Sequence, residues 1–136
     1  MQPTQRQFGL FFALLVTLMG WCIPGSGFFL LNEKKRAVII FVVISFTFAL
    51  GLYVGSVAVI DPVNEKLWYV AQMLNSPLIV LLGRITAANQ LWVSGKPAEI
   101  GQIYTGISGM LNLLCVINAA YLAYSKPQFS SGGRAR

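Results

Sequence analysis

The chain has 136 residues, of which 56% are hydrophobic and 10% are charged, and its formal net charge is +6. A water-soluble domain of this size exposes much of its surface and typically carries about 25% charged residues, so the composition excludes an ordinary soluble domain. The sequence contains no histidine. This excludes histidine-dependent catalytic triads, histidine metal sites and histidine-ligated haem or chlorophyll.

Three long stretches of the chain contain no charged residue. A bilayer core about 30 Å thick is crossed by about 20 helical residues, and a backbone exposed to lipid must satisfy its hydrogen bonds within its own segment. We therefore predict an all-α integral membrane helical bundle, formed by a single membrane domain over residues 1–136. It should contain three full transmembrane helices and a fourth element that is broken, re-entrant or marginal.

The first predicted transmembrane helix covers residues 8–31. Pro24 lacks an N–H group and Gly25 adds backbone freedom, so the pattern predicts a helix break at these two residues. The apolar run continues to residue 31 without an Ala-x-Ala sequence, which favours a retained helix over a secretory leader. Asn32 is predicted to cap the next helix.

The second predicted transmembrane helix covers residues 34–60, and Asp61-Pro62 follows it. We expect Asp61 to cap the next helix, with Pro62 in its first turn. Residues 67–93 are apolar but are interrupted by polar side chains and by Pro77. Three alternatives stay open for this segment: a broken third span, a re-entrant segment, or a helix lying in the membrane interface.

The last predicted transmembrane helix covers residues 97–124, and a polar, basic tail follows over residues 125–136. With three full spans, this tail and the basic connection Lys34-Lys35-Arg36 lie on the same side, as the positive-inside rule prefers. The basic residues form no long patch, which argues against a nucleic-acid partner. The predicted location is a bacterial inner (cytoplasmic) membrane.

Small residues form stripes on the predicted helices, including a Gly-x-x-x-Gly pattern on the second. Helix association in lipid gains little from hydrophobic burial, so small residues are what allow close backbone contact. The stripes predict packing within the chain or docking to another membrane protein. The helix-packing candidates, including one deep amide, are Gly51, Gly55, Gly101, Thr105, Gly109 and Asn112.

Two further polar residues of interest lie in the marginal segment. Arg84 is the one cation with access to membrane depth, where a buried charge is costly and often functional. If it is buried, Asn75, Asn89, Asn112 or a partner subunit should satisfy it. The alternative is that Arg84 extends to a lipid headgroup. The carboxylates, by contrast, all lie at predicted helix ends, where capping explains them, so no catalytic residue and no metal ligand is predicted. They are Glu33, Asp61, Glu65 and Glu99.

Two segments of the chain resemble known membrane-protein families. Residues 20–37 contain Gly20-Trp21-x-x-Pro24-Gly25-x-Gly27 and then the basic turn Lys35-Arg36-Ala37, which resembles the opening of TM2-like membrane proteins. Residues 99–114, with Gly101-Gln102-x-Tyr104-Thr105 and Leu111-Asn112-Leu113-Leu114, are similar to a bacterial family of uncharacterised membrane proteins, a domain of unknown function. Relatives carry an acidic residue near Asn118 that this chain lacks. The resemblance implies a helical membrane architecture and no particular activity.

These features predict a non-catalytic accessory or structural subunit of a larger membrane complex, of a bioenergetic (respiratory or photosynthetic) type. The alternative is a homo-oligomeric protein that handles lipids or ions. A membrane-embedded enzyme, the third hypothesis, would depend on Asp61 or Glu99. The expected partners are other membrane subunits and lipids. The cofactor is unknown, and the composition leaves a lipid open.

Overall fold

The computed structural model describes residues 3–91 and 94–132. Within these ranges the chain is helical without any β-strand, which confirms the all-α prediction. In chain order the elements are α1 (Pro3–Cys22), α2 (Ser26–Leu30), α3 (Lys34–Gly55), a 3-10 turn (Val57–Val59), α4 (Lys66–Met73), α5 (Leu78–Ala88) and α6 (Lys96–Gly132).

Helices α3 and α6 run antiparallel and form the centre of the fold. Gly55 near the end of α3 lies against Gly101 at the start of α6, whereas Ala37 at the start of α3 packs in one cluster with Ala119 and Ala123 of α6. These are the two helices of the described chain that are long and apolar enough to cross a membrane. The sequence predicts three such helices, and the structure shows two.

The first apolar segment forms a hairpin, which differs from the single crossing predicted over residues 8–31. Helix α1 ends just before Pro24, and after a left-handed Gly25 (φ +83°) helix α2 folds back along α1. The returning Gly27 approaches α1 so closely that a Cβ atom there would lie 3.1 Å from the Val16 carbonyl oxygen. The helix therefore breaks where the proline and glycine predict, but the chain reverses instead of continuing.

Both ends of α2 depend on local backbone geometry. A Cβ atom on Gly25 would lie 2.5 Å from the Ala37 carbonyl oxygen, so only glycine fits this turn against α3. At the other end Asn32 adopts a left-handed conformation (φ +64°), and the Glu33 N–H donates to the Phe28 carbonyl over 3.0 Å. This is the hydrogen-bond pattern of a helix C-terminus. Asn32 thus ends α2, and the prediction that it caps the following helix is wrong.

Helices α4 and α5 form a second hairpin within residues 67–93. Helix α5 returns along α4, because Gly83 packs against the Tyr69 ring. Near the end of α5, the Thr86 hydroxyl donates to the Ile60 carbonyl oxygen, which precedes α4, over 2.6 Å. The chain therefore reverses direction within this segment.

Asp61 does not cap α4 as the sequence predicts, because α4 begins only at Lys66. The Asp61 Oδ1 atom instead accepts hydrogen bonds from the backbone N–H groups of Val63 (2.8 Å) and Asn64 (3.0 Å). A short side chain that accepts from the backbone two residues later stabilises a turn. Asp61 therefore shapes the turn between the 3-10 segment and α4.

The same order of elements occurs twice in the described chain: a helical hairpin and then a long helix. Both hairpins pack against α6 but approach it from opposite ends. Helix α1 runs along the C-terminal half of α6, towards Val116, and α4 runs along the N-terminal half, past Gly106 and Gly109. The sequence shows no internal repeat, so the correspondence lies in the architecture.

Helix α6 is longer than the predicted span over residues 97–124. It continues through residues assigned to the polar tail, and its described part reaches Gly132. With 37 residues and a rise of 1.5 Å per residue, α6 is about 55 Å long, which exceeds the thickness of a bilayer core.

Substituting Gly101→Val should destabilise the contact between α3 and α6. A Cβ atom at Gly101 would lie 2.6 Å from the Gly55 Cα atom and 2.8 Å from the Gly51 carbonyl oxygen, and overpacking of this kind costs about 1–3 kcal/mol. The control is Ala49→Val, on an exposed position of α3. Thermal unfolding of the detergent-solubilised protein, followed by circular dichroism, measures both. Equal midpoints for the two variants would contradict the glycine contact.

Candidate functional site

The tips of the two hairpins meet beside Asn112, near the middle of α6. The Asn112 Nδ2 atom lies 3.3 Å from the Gly20 carbonyl oxygen of α1, and 3.0 and 2.9 Å from the carbonyl oxygens of Leu74 and Asn75. An amide nitrogen carries two hydrogens, so the three acceptors share two donors. We call this contact the tip junction; it consists of residues 20–22, residues 73–76 and Asn112.

Two side chains at the tip junction join the hairpins to each other directly. The Trp21 indole N–H donates to the Met73 carbonyl over 3.0 Å, and the Ser76 hydroxyl donates to the Cys22 carbonyl over 3.0 Å. The last four carbonyl groups of a helix have no partner within that helix. Helices α1 and α4 both end at the tip junction. Each hairpin therefore donates a hydrogen bond to the last carbonyl groups of the other, and Asn112 donates to both.

A second buried amide ties α4 to α6 below the tip junction. The Gln72 Nε2 atom donates to the Thr105 hydroxyl oxygen over 2.8 Å and lies 3.3 Å from the Val59 carbonyl oxygen. The Thr105 hydroxyl itself donates to the Gly101 carbonyl over 2.8 Å. Gln72 and Thr105 are both fully buried, so these bonds connect α4, α6 and the 3-10 turn where no solvent competes.

Three buried amide oxygens along this contact have no hydrogen-bond donor within the described part of the chain: Gln72 Oε1, Asn75 Oδ1 and Asn112 Oδ1. A buried acceptor without a donor typically costs about 1–3 kcal/mol. The polar interior therefore has acceptor capacity beyond what the chain's own groups use.

The structure brings the predicted small residues to contacts inside the chain. Gly51 lies against Thr105, since a Cβ atom there would be 2.7 Å from its Cγ2 atom, and Gly55 lies against Gly101. Gly109 faces the opposite partner, α4, where a Cβ atom would collide with the Ala71 carbonyl oxygen. The stripes are thus occupied by the chain's own helices, the first of the two predicted uses.

The two polar residues predicted for burial have different positions. Asn75 is buried, at 6% exposure, and belongs to the tip junction. Arg84 is exposed, so this chain by itself does not bury the cation and Asn75 does not partner it here. The physical reason is its register on α5: the buried face of that helix is formed by Ile79, Gly83 and Thr86, and Arg84 lies outside it.

A polar cavity of about 590 Å³ lies at the end of the bundle where α3 ends and α6 begins. Sequence reasoning missed it, because each of its carboxylates was explained separately as a residue at a helix end. The three carboxylates come together only in the folded chain, and no pattern in the sequence indicates that they do. The polar side chains that line it are Asp61, Glu65, Glu99, Asn64, Ser94 and Gln102.

Asp61 is held ionised at the wall of this cavity. Burial alone would raise the pKa of its carboxyl group, but hydrogen bonds from the Asn64 side chain and from the backbone of Asn64 and Val63 outweigh that effect, so the pKa lies below its usual 3.8. The Asn64 Nδ2 atom donates to Asp61 Oδ2 over 2.7 Å. The Asp61 carboxylate therefore carries its negative charge near neutral pH.

A profile of a family of unknown function, DUF6677, matches residues 15–129. The chain belongs to this family. The match confirms the predicted likeness to an uncharacterised family, whereas the likeness to TM2-like proteins stays a prediction. No curated protein and no solved structure matches the chain. The DUF6677 match includes both hairpin tips, Asn112 and every polar residue of the cavity.

In this DUF6677 protein, Asn112→Leu should lower thermal stability more than Asn118→Leu. Leucine at position 112 leaves up to three buried backbone carbonyls without their donor, at a cost of about 1–3 kcal/mol, whereas Asn118 is exposed on the same helix. The two changes are chemically identical, so the difference between their unfolding midpoints isolates the tip junction. A smaller effect at position 112 than at 118 would rule out the assigned role of Asn112.

Proposed function

We propose that the chain is an integral membrane protein in which α3 and α6 cross the bilayer, while the two hairpins enter from opposite faces and return. The observation that supports this is an inverted distribution of polarity. Gln72, Thr105 and Asn112 are fully buried, whereas Phe46 and Leu114 are each 63% exposed. A surface of large apolar side chains around a hydrogen-bonded polar interior suits lipid as the solvent.

Helix lengths agree with this proposal. Helix α3 has 22 residues, or about 33 Å, which matches a hydrocarbon core of about 30 Å. Each hairpin turns beside Asn112, near the middle of α6. Non-helical backbone at membrane depth is tolerated where protein buries it, and the side-chain donors at the tip junction meet that requirement.

The distribution of charge supports one orientation. The start of α3, with Lys34, Lys35 and Arg36, and the end of α6 lie at one end of the bundle. The other end carries Asp61 and Glu99 together with Lys66 and Lys96, the first residues of α4 and α6. Cytoplasmic loops carry the excess of basic residues, so the basic end faces the cytoplasm in the proposed setting, a bacterial inner membrane.

Within that setting we assign the chain a non-catalytic role as an accessory or structural subunit of a larger membrane complex, of bioenergetic type. Its described interior holds amides, hydroxyls and glycines beside apolar side chains, and its charged side chains lie at helix ends, in the turn at Asp61 or on the exposed side of α5. Such an interior supports packing rather than acid–base chemistry. The partners would be other membrane subunits and lipids, bound on the outward apolar faces of the bundle.

A second candidate, a homo-oligomeric protein that handles lipids or ions, is favoured by the paired hairpins. Broken helices that meet near the bilayer midplane, in an order repeated with inverted entry, occur at the binding sites of membrane transporters. The acceptors without donors at Gln72, Asn75 and Asn112 lie at that level. They could accept hydrogen bonds from a solute or coordinate a cation.

Single introduced cysteines test the topology, in a variant whose Cys22 and Cys115 are replaced by alanine. We expect Gln7→Cys and Lys35→Cys to react with a membrane-impermeant maleimide from the cytoplasmic side, and Glu65→Cys and Ser94→Cys from the opposite side. The two cysteines of each pair lie before and after one hairpin, so a hairpin that returns leaves both cysteines on the same side of the membrane. Labelling of either pair from two different sides means that its segment crosses the bilayer, and the two-span arrangement fails.

One preparation separates the two candidate functions. After gentle detergent extraction, the subunit role predicts that the chain migrates in a larger assembly containing other membrane proteins, identified by mass spectrometry. Its deletion should then reduce the amount of that assembly. The second candidate predicts a homo-oligomer whose proteoliposomes conduct protons or sodium ions, with conductance reduced by Asn75→Leu but not by Asn118→Leu. A homogeneous monomer without conductance would eliminate both.

A further inference from the structure

The polar cavity at the acidic end of the bundle has a strong charge imbalance. Asp61, Glu65 and Glu99 line it, and none of its described lining residues is basic. The ion pair found in the described chain, between Arg36 and Glu33 (2.9 Å), lies at the other end of the bundle. Three carboxylates therefore line one cavity with no cation among its described lining residues, although Lys66 and Lys96 begin the two helices beside it.

Gln102 provides an independent sign that this cavity receives a ligand. Its side chain is buried, at 8% exposure, and lines the cavity. No hydrogen bond within the described chain involves its side-chain amide, which faces the open space of the cavity while the rest of the residue is buried. Gln102 thus offers a donor and an acceptor at the wall of a space that also presents the Ser94 hydroxyl.

The shape of the site distinguishes between kinds of cation. A metal ion needs several oxygen ligands at about 2.0–2.6 Å, and no three acidic, cysteine or histidine side chains in the described ranges are close enough to hold one. The cavity volume of about 590 Å³ is that of a site for an organic molecule. Spread carboxylates suit a ligand that carries ammonium groups as hydrogen-bond donors.

We propose that this cavity binds an organic cation through its ammonium groups, with Glu65 and Glu99 as the charged ligands and Gln102 as a neutral one. Asp61 contributes its charge, while its oxygens hold the turn that forms the wall. The ammonium group can belong to a soluble polyamine or to an aminophospholipid headgroup, because the cavity lies at an end of the bundle. This binding is separate from the proposed subunit role and does not depend on it.

The test uses the full chain in phosphatidylcholine nanodiscs, titrated with spermidine and followed by calorimetry. We expect saturable binding that Glu65→Gln and Glu99→Gln each weaken roughly tenfold, as expected for the loss of one charge-assisted hydrogen bond. Glu33→Gln, the same change at the opposite end, should leave the affinity unchanged. A second arm replaces phosphatidylcholine by phosphatidylethanolamine without spermidine. A raised unfolding midpoint that Glu99→Gln abolishes would identify the lipid headgroup as the source.

The Gln102→Leu variant tests whether Gln102 contacts the bound cation or only stabilises the fold. Because the Gln102 amide has no partner to lose in the described chain, the ligand-free midpoint should not fall, while spermidine affinity or the phosphatidylethanolamine effect should. A fall in stability together with unchanged binding overturns the assignment of Gln102. The proposal itself fails if neither arm shows binding, if the glutamate variants behave as wild type, or if magnesium chloride at equal ionic strength reproduces the effect.

Discussion

The hydrogen bonds from the Asn112 amide to backbone carbonyls are the interaction on which the fold depends. A helix that ends inside a bundle leaves its last carbonyls unsatisfied, and lipid offers no donor in place of water. Here α1 and α4 both end near the middle of α6, and one side chain serves Gly20 of the first and Leu74 and Asn75 after the second. These donors are what allow both helices to end inside the bundle.

Helix α6 can support both hairpins and α3 because each contact uses a different small surface on it. Gly101 admits the α3 backbone, Gly106 and Gly109 admit α4, and Ala119 admits the returning Gly27 of α2. Dispersion and hydrogen bonding replace hydrophobic burial as the driving force between helices in lipid. Small residues on several faces therefore hold the bundle together, while the larger apolar side chains of α6 point outwards.

The sequence carries the local features of this fold but not their tertiary consequences. The helical class and the position of the break at Pro24 and Gly25 follow from propensity, since both residues act on their own backbone. The direction of the chain after the break depends on Gly27 meeting Val16 and Ala119, and no local rule reports that contact. The acidic cavity was missed for the same reason. Helix capping accounts for each carboxylate separately in the sequence, and the three carboxylates come together only in the folded chain.

The reversal of the chain in both hairpins, which the proposed two-span arrangement requires, also determines where the cavity lies. Because each hairpin reverses direction, the basic start of α3 lies at the same end of the bundle as the start of α1, and Glu65 and Glu99 lie at the other end. A crossing by residues 67–93 would instead place Glu99 at the end of the bundle that carries Lys35 and separate it from Glu65. The turn between α4, which ends at Met73, and α5, which begins after Pro77, has a consequence for the cavity. It keeps the start of α6 beside the start of α4, so that Glu99 and Gln102 complete a cavity whose other wall is Asp61 and Glu65.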